Sequence, residues 1–66
     1  MNALFQLQQA TLAARQRTGD KHIGTRVEAG RVQVVRAVPT TRGKFDVLPL
    51  TGWMTAQEAV NAIRTI

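Results

Sequence analysis

The chain has 66 residues, with nine Lys+Arg against four Asp+Glu, a formal charge of +5 and no cysteine. So short a chain allows a single small basic domain, residues 1–66, with one thin core, and the lack of cysteine excludes a disulfide framework and a thiolate metal site. No apolar run approaches the ~18 residues of a membrane span, and the N-terminus lacks a basic-then-apolar signal pattern, so a cytoplasmic protein with no membrane partner is expected.

Residues 2–17 are predicted to form a helix, because they hold no Gly, no Pro and no β-branched run. Leu4, Leu7 and Ala14 fall on one face with Ala3 and Ala10, and Phe5 and Leu12 lie beside them. Arg15 and Arg17 occupy the last turn, where cations favour the negative end of the helix dipole. Gly19 is the stop signal. This apolar surface is broader than a small sheet needs. It either covers the sheet of its own chain or, through Leu4, Phe5 and Leu12, forms the interface of a homodimer.

Residues 18–24 read as a loop punctuated by two glycines. A first strand follows, in which Ile23, Thr25 and Val27 alternate with Arg26 and Glu28. Ala29-Gly30 is a two-residue turn. Residues 31–38 are the strongest strand, with Val32 and Val34 on one face and Arg31, Gln33 and Val35 on the other. The alternation breaks at Val34-Val35-Arg36, where a bulge is expected. Pro39 ends the strand, and Thr40 to Lys44 form a turn with basic flanks. A third strand, Phe45 to Leu50, places Phe45 and Val47 opposite Asp46 and Leu48, and Pro49, which cannot donate to a ladder, either puts it at a sheet edge or ends it near there. Thr55-Ala56-Gln57-Glu58 fits a capping box, and Ala56, Ala59, Val60 and Ile63 then follow helical spacing, with Ile66 continuing the face. Trp53 and Met54 precede the cap, where an apolar residue staples the start of a helix. The expected fold is α+β: helix, three-stranded antiparallel sheet, helix (α-β-β-β-α).

The chain has no Ser, Tyr or Cys, which removes the commonest nucleophiles, and its one histidine, His22, cannot build a multi-histidine metal site. The four acids are scattered without the spacing of a carboxylate dyad. A non-enzymatic protein that needs no cofactor is expected. The positive charge favours a polyanion, nucleic acid first and an acidic protein surface second. Arg26, Arg31 and Gln33 project from the strands away from the apolar set, Arg42 and Lys44 flank the second turn, and Arg36 joins them if the bulge re-aims its side chain. Together these would make a basic plate able to enter the major groove of duplex DNA. Phe5 and Phe45 read as core and Trp53 as part of the helix start, which leaves no stacking platform for unpaired bases.

Gly52, Trp53, Thr55, Glu58 and Ala59 resemble the strand-to-helix junction of three-strand-plus-helix DNA-binding domains, the ethylene-response-factor type and the arm-binding domains of tyrosine recombinases. That resemblance covers the last third of the chain and implies a sheet placed in the major groove. The Arg- and Trp-rich first strands of that family are not matched, and the N-terminal helix has no counterpart in the minimal domain. The element order is also similar to double-stranded-RNA-binding domains, without their Lys-rich start to the last helix. The rival reading is a protein-interaction or inhibitory accessory factor, of the kind phages and mobile elements carry. It would use an exposed sheet edge, the first helix or the arginine patch against a partner protein.

Overall fold

A computed structural model describes residues 2–66, with the side chain of Arg42 outside the described residues. The order is α1 (Ala3–Thr18), β1 (Ile23–Glu28), β2 (Arg31–Pro39), β3 (Phe45–Pro49) and α2 (Ala56–Arg64), with a 3-10 turn at Thr41–Gly43. The sheet is antiparallel in the order β1-β2-β3. The α-β-β-β-α expectation therefore holds.

Asn2 caps α1 by accepting the Leu4 N–H on its side-chain oxygen at 2.9 Å, and Gly19 closes the helix at φ 72°. Only a narrow strip of α1 is buried: Leu7, Ala10, Thr11 and Ala14. The strip packs on α2 and on β1. Leu4, Phe5 and Leu12 stay 52%, 56% and 45% exposed. Leu4 and Phe5 thus do not belong to the core, because the strip of α1 that packs inward is only about one side chain wide. The Thr55 capping box at α2 forms as read: the Thr55 hydroxyl accepts the Glu58 N–H at 3.2 Å, and Glu58 accepts the Thr55 N–H at 3.1 Å. Ala59, Val60 and Ile63 are fully buried. Arg17 donates to the carbonyls of Ile63 and Ile66 and so ties the end of α1 to the C-terminal end of α2.

Both helices cover one face of the sheet. Ile23, Val32 and Val34 point toward them and complete the core with Leu7, Ala14 and the buried face of α2. The register is unbroken from Ile23↔Arg36 to Glu28↔Arg31, so β2 carries no bulge at Val34-Val35-Arg36. Consecutive valines reflect burial on both sides of a central strand: Val34 is 0% and Val35 4% exposed. The irregularity lies instead in the chain beyond β3. Leu50 donates to Val34 at 2.8 Å, and Met54 next pairs with Val32, so Thr51, Gly52 and Trp53 bulge out of the ladder. The Thr51 hydroxyl fills the gap by accepting the Val34 N–H at 3.1 Å. Met54, rather than Trp53, is the residue before the cap that packs on the core.

The two-residue turn between β1 and β2 has positive φ at both positions, 49° at Ala29 and 75° at Gly30, the signature of a type I′ hairpin. Alanine in the left-handed region costs roughly 1–2 kcal/mol. Ala29→Asn is therefore expected to raise stability by about 1 kcal/mol, read as a higher urea midpoint. A lower midpoint would refute the strain.

The outer strands differ in what they offer. Thr40 donates to the Lys44 carbonyl at 2.8 Å and Leu50 to Val34, so by alternation Asp46 and Leu48 bond inward to β2. Phe45, Val47 and Pro49 then face outward, and Pro49 has no N–H to offer there. On β1, Ala37 donates to the His22 carbonyl, which turns Ile23, Thr25 and Val27 outward. The Ile23 carbonyl is taken by Arg15 Nε at 2.7 Å.

Candidate interaction face

The face of the sheet away from the helices follows from the register. It carries Arg26 and Glu28 from β1, Arg31, Gln33, Val35 and Ala37 from β2, and Phe45 and Val47 from β3. The face is divided along its length. Polar and charged groups sit at the β1–β2 turn. An apolar stretch follows, running through Ala37, Pro39, Val47 and Phe45 toward Lys44 at the far end.

At the polar end, the Arg26 guanidinium lies 5.7 Å from the centroid of the Trp53 ring, within cation–π range, and 3.9 Å from Glu28. The bulge at residues 51–53 explains why this ring is on the sheet face and not at the start of α2. Gln33 is only 9% exposed and donates to the Thr51 carbonyl at 3.1 Å, so its amide is committed within the chain. Arg31 remains exposed beside it.

Arg36 lies on the opposite face, across from Ile23 and Leu48. With no bulge to re-aim it, its Nε donates to Asp20 Oδ2 at 2.6 Å and ties the loop after α1 to β2. Lys44 lies at the other end of the sheet, beyond Phe45. Arg42 falls outside the described side chains. The sequence-predicted residues thus split: Arg26, Arg31 and Gln33 share one end of one face, Lys44 is distant, and Arg36 belongs to the other side. Arg15, Arg17 and Arg36 hold backbone carbonyls or a carboxylate of their own chain.

The residues that sequence reasoning missed are the exposed apolar ones. Phe45 is 61% and Val47 44% exposed, with Leu48 and Leu50 50% and 47% exposed on the same strand and its continuation. Phe45 is therefore not core. All of β3 is exposed because it packs on β2 beyond the layer the helices cover. The available signal was Pro49, which marks the strand as an edge. Leu4, Phe5 and Leu12 keep a second, smaller apolar surface on α1. A shallow groove of about 500 Å³ beside it is lined by Phe5, Gln9, Ala13, Arg17 and Arg64. Among the described residues no helix is long and apolar enough to cross a membrane.

Two carboxyls are held below their ordinary values. The Arg36 side chain, and after it the His22 N–H, keep Asp20 below 3.8, and the Thr55 backbone N–H and hydroxyl keep Glu58 below 4.5. Both shifts favour the ionised form in the folded chain. Their stabilisation is complete above those ordinary values and is lost as pH falls through the lowered folded ones. The urea midpoint is expected to fall between about pH 6 and about pH 2.5, and to fall less in an Asp20→Asn/Glu58→Gln variant. Equal acid sensitivity in parent and variant would assign the effect to other groups.

Comparison of the chain with protein-family models, with curated proteins and with solved structures gives no match.

Proposed function

We propose that this chain is a non-enzymatic binding module that docks a partner protein on the open face of its sheet. The observation that carries this reading is the exposed apolar stretch on that face, with Phe45 at 61% and Val47 at 44%. A contiguous exposed apolar surface on so small a chain marks an interaction site. Aromatic side chains at the centre of such a surface supply most of the binding energy.

The same geometry supports duplex DNA less well. Phosphates follow one another every ~3.4 Å along a strand, so a duplex laid on the sheet needs donors along its length. From Arg31 to the Pro39 end of β2 is about 26 Å at ~3.3 Å per residue. Beyond Gln33 that face carries a buried Val35 and then Ala37, Val47 and Phe45, none of which has a side-chain donor. Of the groups at the cationic end, Gln33 is already bonded and Arg26 is engaged with Trp53.

Phe45→Ala and Val47→Asp test the reading without touching the core, since both positions are exposed. Each variant should keep the parent circular dichroism. In a nuclease-treated lysate the parent should retain a stoichiometric protein that Val47→Asp does not, and Phe45→Ala should bind it roughly 30-fold more weakly, about 2 kcal/mol. Retention by both variants at parental level, together with salt-sensitive binding of mixed duplexes that Arg26→Ala/Arg31→Ala abolishes, would replace this reading with the nucleic-acid one.

A further inference from the structure

We infer that the outward face of α1 pairs two copies of this chain as an antiparallel helix dimer about a two-fold axis. This surface is separate from the sheet face, and the inference goes beyond the docking reading. Phe5, Gln8, Gln9, Leu12, Ala13 and Gln16 are all exposed and lie on the side of α1 away from its buried strip. Phe5 is 56% and Leu12 45% exposed. Residues 2–14 hold neither an acid nor a base, although the chain carries nine Lys+Arg and four Asp+Glu. The outward face of a solvated helix ordinarily carries charge. A face with none, holding a phenylalanine and a leucine, has the composition of an interface core.

Charge and symmetry both select a second copy as the occupant. An acidic partner, which a chain of charge +5 otherwise attracts, finds no cation on this face, whereas a second copy meets no like charge there. Phe5 and Leu12 stand two turns apart, about 10 Å along the axis. With the two-fold axis between Gln8 and Gln9, Phe5 of each copy lies on Leu12 of the other, the self-complementary contact of a symmetric dimer. The glutamines then meet their own counterparts near the axis, where each amide is donor and acceptor at once. The cations of α1 stay apart. Arg15 is opposite the first turn of the other copy, which has no charged side chain, and the two Arg15 positions are separated by about 20 Å, beyond the ~8 Å screening length. Arg15 and Arg17 are also turned to carbonyls of their own chain, and Arg64 lies at the same end as Arg17. A parallel pair would instead set Arg15 beside Arg15.

Sedimentation equilibrium of the full chain from about 10 µM to about 1 mM should show a reversible monomer–dimer equilibrium. One helix per copy covers less than the ~800 Å² per partner of a standard complex, so a dissociation constant on the order of 0.1 mM is expected. Phe5→Glu and Leu12→Lys should each weaken the dimer at least about tenfold, with circular dichroism unchanged because both positions are exposed. Combining the two sets each introduced acid against the introduced base of the other copy. The double variant should therefore associate more tightly than either single one, and added salt should weaken it. Misfolding cannot imitate that recovery. In a parallel pair the introduced charges would meet their likes, so a double variant no tighter than the singles overturns the antiparallel arrangement. Val47→Asp should leave the dimer intact. A dimer that Val47→Asp dissociates and Leu12→Lys does not would assign the contact to the sheet face and overturn the inference. A parent that stays monomeric at about 1 mM overturns it as well, and binding of that monomer to a lysate protein or to anionic vesicles, lost in Phe5→Glu, would give the face to another occupant.

Discussion

Ile63→Ala is expected to leave much of the population unfolded at 25 °C. Ile63 is fully buried and heads the set of largest inaccessible side chains, with Val32, Val34 and Val60. It belongs to the buried cluster that joins α1, α2 and the sheet. Truncating a buried isoleucine to alanine costs about 2–5 kcal/mol, because the cavity left behind adds to the lost transfer energy. At roughly 0.05–0.15 kcal/mol per residue, a chain of 66 residues has only about 3–10 kcal/mol to lose. Urea titrations followed by circular dichroism should show the native baseline shortened or missing. Ile63→Val, costing about 0.5–1.5 kcal/mol, should fall between parent and Ala. A parental midpoint for Ile63→Ala would mean that α2 does not anchor the fold.

The second large effect comes from adding volume where none is free. Ala14 is 0% exposed within the same cluster. A leucine there must displace core atoms, at a cost of about 1–3 kcal/mol. For a domain of this size that corresponds to a fall in Tm of roughly 5–20 °C. Ala13, the next residue, is exposed and lines the groove beside Arg17. Ala13→Leu should stay within about 0.5 kcal/mol of the parent. The pair separates a packing effect from any general change in helix propensity. Similar losses at both positions would refute the close seating of α1.

These expectations depend on parts of the fold that local sequence patterns announce well. The capping box at Thr55 and the Ala59, Val60, Ile63 spacing specify α2 from short-range chemistry alone, and the alternation in Ile23–Glu28 likewise specifies β1. Ala29-Gly30 marked the turn, though nothing in the residues showed that alanine would take a positive φ. The errors fall where tertiary placement decides. Val34-Val35 read as a break in β2, yet a central strand buried on both faces accommodates consecutive valines without one. Phe5 and Phe45 read as core from their apolar neighbours. The helical layer reaches neither side chain, and that extent is set by how α1 and α2 pack together. Trp53 read as part of the helix start, and a bulge held by the Thr51 hydroxyl turns it onto the sheet instead. The arginines show the limit of counting charge. Composition gives their number, but whether a guanidinium is free depends on which carbonyl or carboxylate folding brings to it.

The treatment of the two outer strands bears on how the molecule behaves in crowded conditions. One margin ends in an imino acid at an outward position, and the other has its first outward carbonyl occupied by Arg15. Each of these features shortens the run of peptide groups that an edge offers to another strand, which is how small sheets resist edge-to-edge addition. Removing the Arg15 guanidinium would lengthen that run at the β1 margin.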